Sequence, residues 1–491
     1  MERQIRILAT GFLILFGLLG LNVNYIQVIA ARDLANNPAN KRLLIQEYDV
    51  QRGQILAADG RTVIATSEET TGALKYLRRY PGGRLYAHLS GYYSFVFGRS
   101  ALEQSYNDEL SGRAPEVALQ TFVDEVLGRD RRGASLVLTI DPQLQQTAAA
   151  GLGDRPGAVA AINPQTGEVL ALVSNPSFDP NVLSSHEGKS IRKAWNRLNA
   201  DPDKPLLSAA SEDFFPPGST FKIVVAAAAL ENGITPDTTF PNPPELDLPQ
   251  TTRTLENFGG DHCLGGASEV SLAQALQVSC NVVFAEVGLE LGAEKLAEQA
   301  RAFGFSGDIP FDKDLRFQEG NFPPAESFAQ DLPGVAFSAI GQKDVRTNVL
   351  HLALIGGAIG NGGVMMQPKV VREVRDPTGR IVRRLQPQAF GEPLSPENAG
   401  ALTQMMQAVV DSGTGTAAQI SGISVAGKTG TAQNPGGDPH AWFVAFAPAE
   451  QPTVAVAVVV LNGGDLGSEA TGGAVAAPIA RTVMEEALIS T

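Results

Sequence analysis

The chain has 491 residues, 43% of them hydrophobic and 18% charged, with a formal net charge of −14. That length exceeds one ordinary core and predicts two soluble domains, while the hydrophobic share excludes a disordered chain. The acidic balance argues against a nucleic-acid partner. Two cysteines and five scattered histidines show no metal-ligand spacing, so neither a metal nor another cofactor is expected.

Arg3 and Arg6 precede an apolar run from Ile7 to Leu21, which continues with softer polarity through Ile29. Including Asn22 to Ile29, it reaches the ~20 residues that cross a bilayer. An uncleaved anchor over residues 1–31 is the expectation, with a signal peptide cut after Val28-Ile29-Ala30 as the rival. In either case the positive flank stays cytoplasmic and the bulk of the chain is exported. No basic run follows the anchor to suggest a second contact with the membrane surface.

Residues 32–133 lack long helical periodicity and carry turn signals at Asp59-Gly60 and Pro81-Gly82-Gly83, which predicts a small mixed domain. Arg129 to Gly133 forms a polar joint to a second domain over 134–491. There Leu136 to Ile140 reads as a strand, and Asp141-Pro142 as a helix start. Val159 to Ile162 and Gly167 to Val173 read as strands joined by a turn at Asn163 to Gly167. A helix buried on most sides follows from Ile223 to Leu230, then a mostly helical insert up to Met406. Ser424 to Ala432, Trp442 to Phe446 and Val454 to Leu461 are further strands, and Ala476 to Leu488 a closing helix. The expected class is α/β (α+β), an antiparallel sheet flanked by helices with a helical subdomain. Little sequence follows Leu461, so no extra C-terminal module is expected.

Three short motifs stand in order: Ser219-Thr220-Phe221-Lys222, Ser279-Cys280-Asn281 and Lys428-Thr429-Gly430-Thr431. Singly they are weak. At average usage S-x-x-K or S-x-N arises about once or twice in a chain this long, and K-T-G in roughly one such chain in ten. Ser190 to Lys193 and Ser105-Tyr106-Asn107 are such extra matches. Context separates the copies. Ser219 follows Pro216-Pro217-Gly218 at the start of an apolar helix, where free N–H groups stabilise developing negative charge. Ser190 sits among Lys189, Arg192, Lys193 and Arg197, a solvated basic surface that could not shift a lysine.

The chemistry follows from the residue types. A serine hydroxyl is a poor nucleophile until a base takes its proton, and a lysine serves only when desolvation or a nearby cation lowers its pKa. Lys222, three residues on, is placed for that task, with Lys428 as the second cation. Ser279 can relay the proton. Asn281, Thr429, Gly430 and Thr431 are the expected substrate-binding residues, with Gly430 leaving a strand edge open for a peptide to pair alongside. Backbone N–H groups of Ser219 and Thr431 would form an oxyanion hole, commonly worth about 3–4 kcal/mol per donor. Export also allows a Cys263–Cys280 disulfide inside the second motif, two buried thiols being the alternative.

The ordered triple resembles the class B penicillin-binding proteins, peptidoglycan D,D-transpeptidases. The likeness extends to Asn37-Pro38 with Asn40 and Arg42, Arg52-Gly53-Gln54-Ile55 with Asp59-Gly60, and Gly98 to Glu103 leading to Tyr106-Asn107. It continues through Leu138 to Asp141, Ala160 to Pro164 with Gly167 to Ala171, and Ala441 to Pro448. The modest length looks most like the actinobacterial cell-division members. The resemblance implies the penicillin-binding transpeptidase fold after an N-terminal pedestal or dimerisation-type domain, and a single membrane anchor with the catalytic domain outside. It implies stem-peptide cross-linking through a serine acyl-enzyme with loss of terminal D-Ala, in division or elongation, and covalent capture of β-lactams. It also implies a SEDS-family glycosyltransferase partner, since class B members lack a polymerase domain. A D,D-carboxypeptidase or β-lactamase-like hydrolase, and a non-catalytic penicillin-binding scaffold or sensor, are the alternatives.

Overall fold

A computed structural model describes residues 2–29, 47–72, 74–117, 130–307, 309–311, 315–434 and 436–489. The expected boundary at residue 31, the motif residues Asn37, Pro38, Asn40 and Arg42, and Arg129 at the joint lie outside the described residues.

Helix α1, Glu2–Asn24, has no buried residue. With the π-helical turn that follows, Glu2–Gln27 gives 26 residues containing an 18-residue stretch of mean hydropathy 1.9, long and apolar enough to cross a membrane. The next part begins with β1 (Ile55–Leu56), β2 (Val63–Glu69) and β3 (Tyr76–Arg79). The β1–β2 turn is fixed by Asp59, whose Oδ1 accepts the N–H groups of Arg61 and Thr62 at 2.9 Å each. β4 (Ser135–Leu138) pairs parallel with β1, Ile55 opposite Leu136.

Behind β4, α2 (Pro142–Leu152) starts as its sequence dictates. Asp141 caps it, accepting from Gln143 and Leu144 N–H at 2.8 Å each, and Pro142 fills the first turn. The hairpin of β5 (Gly157–Ile162) and β6 (Val169–Asn175) closes through Gly167 N–H to Asn163 O at 2.9 Å. Then come α3 (Gly188–Ala200), α4 (Lys222–Glu231), α5 (Leu272–Val278), α6 (Asn281–Ala302) and α7 (Val349–Gly360). β7 (Val371–Arg375) and β8 (Ile381–Arg384) follow, then α8 (Pro396–Ser412), β9 (Ala426–Asn434), β10 (Gly437–Ala447), β11 (Val454–Val460) and α9 (Ala477–Ile489).

Two sheets organise these elements. The five-stranded sheet runs β9-β10-β11-β5-β6, antiparallel throughout. Period-two alternation splits its side chains between two layers. Val159, Ala161, Phe443, Val456 and Val458 pack with Leu144 and Ala148 of α2 and Ile479 and Val483 of α9. Ala158, Ala160, Trp442, Val444 and Ala457 face the larger core, which holds the buried helices α4 and α7. The six-stranded sheet runs β8-β7-β4-β1-β2-β3 and therefore joins early and late parts of the chain. This corrects the expected mostly helical insert: Val371 to Arg384 is a hairpin, turned by Asp376 Oδ1, which accepts from Thr378 and Arg380 N–H at 2.9 and 3.1 Å. β-branched residues around an Asp-Pro-Thr-Gly turn prefer strand over helix.

The segments holding Arg52, Arg78 and Tyr80 converge on one buried carboxylate. Glu103 takes Arg52 Nε at 2.5 Å, Arg78 Nε at 2.6 Å and the Tyr80 hydroxyl at 3.1 Å. Burial pushes the Glu103 carboxyl up, but the Arg78 and Arg52 guanidinium groups outweigh it and hold it below the usual range. Asn107, from the extra S-x-N match, accepts from Arg52 Nη1 at 2.8 Å and is thereby structural.

Candidate active site

Ser219 lies on a 3-10 turn, Gly218–Phe221, that runs straight into α4. In that geometry side chains three residues apart fall nearly in line, which stacks Lys222 over Ser219. Gly218 has a φ of +54°, and a Cβ there would stand 2.6 Å from Thr431 O. Only glycine satisfies both demands. Gly218 N–H also donates to Gly341 O at 3.0 Å, which ties the turn to the loop before α7. Among the described residues the Ser219 hydroxyl has no hydrogen-bond partner in the protein.

Lys222 is fully buried, and its Nζ bonds the second motif. It lies 2.7 Å from Ser279 O, 3.3 Å from Ser279 Oγ and 2.8 Å from Asn281 Oδ1. Ser279 ends α5 with a φ of 64°, a left-handed turn that aims its carbonyl and hydroxyl at the lysine. From the third motif, Lys428 donates to Ser279 Oγ at 2.8 Å and to Thr429 O at 2.8 Å. The Ser279 hydroxyl thus stands between two buried amines. Burial, and then the Lys428 charge, hold Lys222 well below the usual lysine range. Burial brings Lys428 itself down to about 7.

Asn281 opens α6. Its N–H donates to Asn257 Oδ1 at 2.8 Å and its Nδ2 to Glu256 O at 3.1 Å, leaving one amide hydrogen free to face a ligand. Thr429 is nearly buried, its hydroxyl 2.6 Å from that of Thr414. A Cβ on Gly430 would come within 2.8 Å of Thr220 Cγ2 and 2.9 Å of Pro217 O. The bare Cα therefore seats the serine turn. The open edge comes instead from the terminal place of β9 in its sheet, a correction to the expected role of Gly430. Thr431, half-buried, follows on the same strand.

Cys263 and Cys280 are joined in a disulfide with Cα atoms 5.9 Å apart, which decides between the two alternatives. The bond pins the middle of the second motif to a loop that Asn242 also holds, through Nδ2 to Cys263 O and Ala267 O at 2.8 Å each. Asn257, Thr414, Gly341 and Asn242 escape sequence reasoning because each is a single loop residue with no local pattern. Elsewhere, Ser190 donates to Glu187 on the surface. The fully buried His351 bridges Gly320 N–H and Phe303 O at 3.0 and 2.7 Å. Among the described residues no cluster of His, Cys, Asp or Glu is arranged to hold a metal.

Comparison with known proteins agrees with this geometry. The family described as "Penicillin binding protein transpeptidase domain" matches residues 157–485, and "Penicillin binding protein A dimerisation domain" matches residues 52–136. "Peptidoglycan D,D-transpeptidase PbpA" of Mycolicibacterium smegmatis is 40% identical, over 99% of both chains. Its namesake in Mycobacterium tuberculosis is 39% identical, again over 99% of both. The solved ceftriaxone acyl-enzyme complex of M. tuberculosis penicillin-binding protein A superposes with a TM-score of 0.86 at 39% identity, covering 90% of this chain and all of that one. Identity sustained from end to end, on a matching fold, makes this chain a member of the penicillin-binding protein transpeptidase family.

Proposed function

We propose that the protein is a peptidoglycan D,D-transpeptidase that works through a Ser219 acyl-enzyme and is captured covalently by β-lactams. The observation that carries this reading is the Ser279 hydroxyl held between two buried lysines beside the serine turn. Neutral Lys222 takes the Ser219 proton as the hydroxyl attacks the penultimate D-Ala carbonyl of a stem peptide. The Ser219 and Thr431 N–H groups hold the oxyanion, and the first-turn N–H groups of a helix lack partners inside it. Ser279 passes the proton to the departing D-Ala amine. Charged Lys428 attracts the terminal carboxylate, while Asn281 and the Thr429 to Thr431 edge align the peptide. An amine from a second stem then resolves the ester and forms the cross-link. Among the described residues no carboxylate hydrogen-bonds Ser219, Lys222, Ser279 or Lys428, in keeping with slow hydrolysis of the ester.

The same reading makes α1 the membrane anchor, with Arg3 and Arg6 on the cytoplasmic side and the catalytic part outside. It takes residues 32–133 as the pedestal and 134–491 as the transpeptidase domain. It pairs the protein with a SEDS-family glycosyltransferase that supplies glycan strands. Labelling with a fluorescent penicillin, followed by peptide mass mapping, tests the chemistry. A persistent adduct on Ser219 is expected. Rapid turnover of the label would make the protein a hydrolase, and an unlabelled Ser219 would make it a scaffold.

A further inference from the structure

Helix α3 carries the S-x-x-K match that acyl transfer leaves unused. Its inner side packs Ile191 and Leu198, with Ala194 and Trp195, against Ala87, Tyr92 and Leu183. Trp195 stacks on Phe97 with ring centroids 4.3 Å apart, so the helix is firmly seated. At 100° per residue, Lys189, Arg192, Lys193 and Arg197 occupy an arc of roughly 140° opposite that buried stripe. All four are exposed, none forms an ion pair among the described residues, and α3 itself contains no acidic residue. The nearest acidic groups in sequence, Glu187, Asp201 and Asp203, lie beyond its two ends. In a chain of net charge −14 this is a local reversal of sign. Ordinary solvated surfaces intersperse both signs.

The place of α3 in the fold says what the reversal faces. After α1 the described chain resumes at Glu47 and Tyr48. The Tyr48 ring stands edge-on 5.6 Å from the His186 ring, two residues before α3 begins. The basic face therefore starts where the chain coming from α1 enters the fold. Of the two carboxylates at that entry, Glu47 is neutralised by Arg99 at 2.6 Å and Arg113 at 2.7 Å, while the exposed Asp49 forms no ion pair among the described residues.

We propose that the Lys189 to Arg197 face of α3 docks on acidic phospholipid headgroups of the membrane that holds α1. The proposal rests on the anchor reading above. Each Lys or Arg brought near an anionic leaflet raises occupancy roughly fivefold. The attraction fades within a Debye length, about 10 Å at ordinary salt. Docking at a second point would fix the tilt of the ectodomain and hence the height of the Ser219 groove above the bilayer.

The test uses the full chain in vesicles of phosphatidylcholine alone or mixed with phosphatidylglycerol. A fluorophore goes on Asn196→Cys, both native cysteines being tied in their disulfide, and a quencher on the lipid headgroups. Several-fold stronger quenching in the acidic vesicles is expected, reversed by high salt. It should be lost when Lys189, Arg192, Lys193 and Arg197 are all changed to Glu, while penicillin labelling of Ser219 stays unchanged as the check on folding. Equal quenching in the two lipids, or quenching that survives the charge reversal, overturns the proposal. A response to soluble polyphosphate but none to acidic vesicles would give the face to a wall polyanion, and also overturns it. Vesicles that fail to retain the chain would overturn the anchor reading, and the proposal with it.

Discussion

A lysine takes a proton only in its neutral form, and the buried pair Lys222 and Lys428 divides the two charge states between two tasks. Lys222→Ala should slow penicillin acylation by roughly 10²–10⁴-fold, with the melting temperature kept or raised because a desolvated amine is removed. Stopped-flow acylation and thermal melts check both. Acylation by a β-lactam carboxylate should also be bell-shaped in pH. It rises as Lys222 loses its proton, then declines above about 7 as Lys428 discharges and releases the carboxylate. A ligand without a carboxylate should lack the alkaline limb, and a profile flat through neutrality would remove the lysines from these roles. The sign for stability runs the same way. Both lysines bind protons more weakly folded than unfolded, so their contribution to stability rises with pH from the lowered values up to the ordinary lysine range.

At the scale of elements, the site depends on how closely β9 meets the turn that begins α4. Gly430→Ala would place a methyl against Thr220 and Pro217. The expected result is acylation slowed about 10²-fold, since a shift near 1 Å in a reacting group has that effect, with only a modest fall in melting temperature. The disulfide works on the neighbouring element. Replacing Cys263 and Cys280 by Ser frees a loop of 17 residues. The chain-entropy model puts the loss at about 3 kcal/mol. Calorimetry should show that fall, and acylation should slow because Ser279 is next to the released residue. These elements differ in how far the chain announces them. Ser219 and Lys222 are legible because prolines, spacing and an apolar run are all local. Asn257 and Thr414 are not, because a lone Asn or Thr acquires its role only when a distant segment arrives beside it. The Val371 to Arg384 hairpin escaped notice for a related reason: it lies among helices in sequence but belongs to the opposite sheet.

Across the whole molecule, that shared sheet couples the N-terminal strands to the part that carries the three motifs. Strands from residues 55–79, 135–138 and 371–384 hydrogen-bond in one array, so unfolding should be a single cooperative transition in calorimetry. Two separated transitions would contradict that coupling. Glu103→Gln leaves Arg52 and Arg78 short of a buried counter-charge, a loss of about 3–5 kcal/mol, while the folded fraction should acylate at the normal rate. Because the Glu103 carboxyl is held below the usual range, its contribution is complete above the ordinary glutamate pKa and vanishes as pH falls through the lowered value.

The sequence by itself determined the local facts: an apolar span, an acidic chain, a serine on a helix start, and the order of three motifs. Each depends on residues within a few positions of one another. Tertiary structure alone decided that Lys222 turns to Ser279 and Asn281, that Cys263 bonds Cys280, and that His186, just before a basic helix, meets Tyr48. Such pairings join residues far apart in the chain, and their energies arise from burial and approach, which no short stretch of sequence contains.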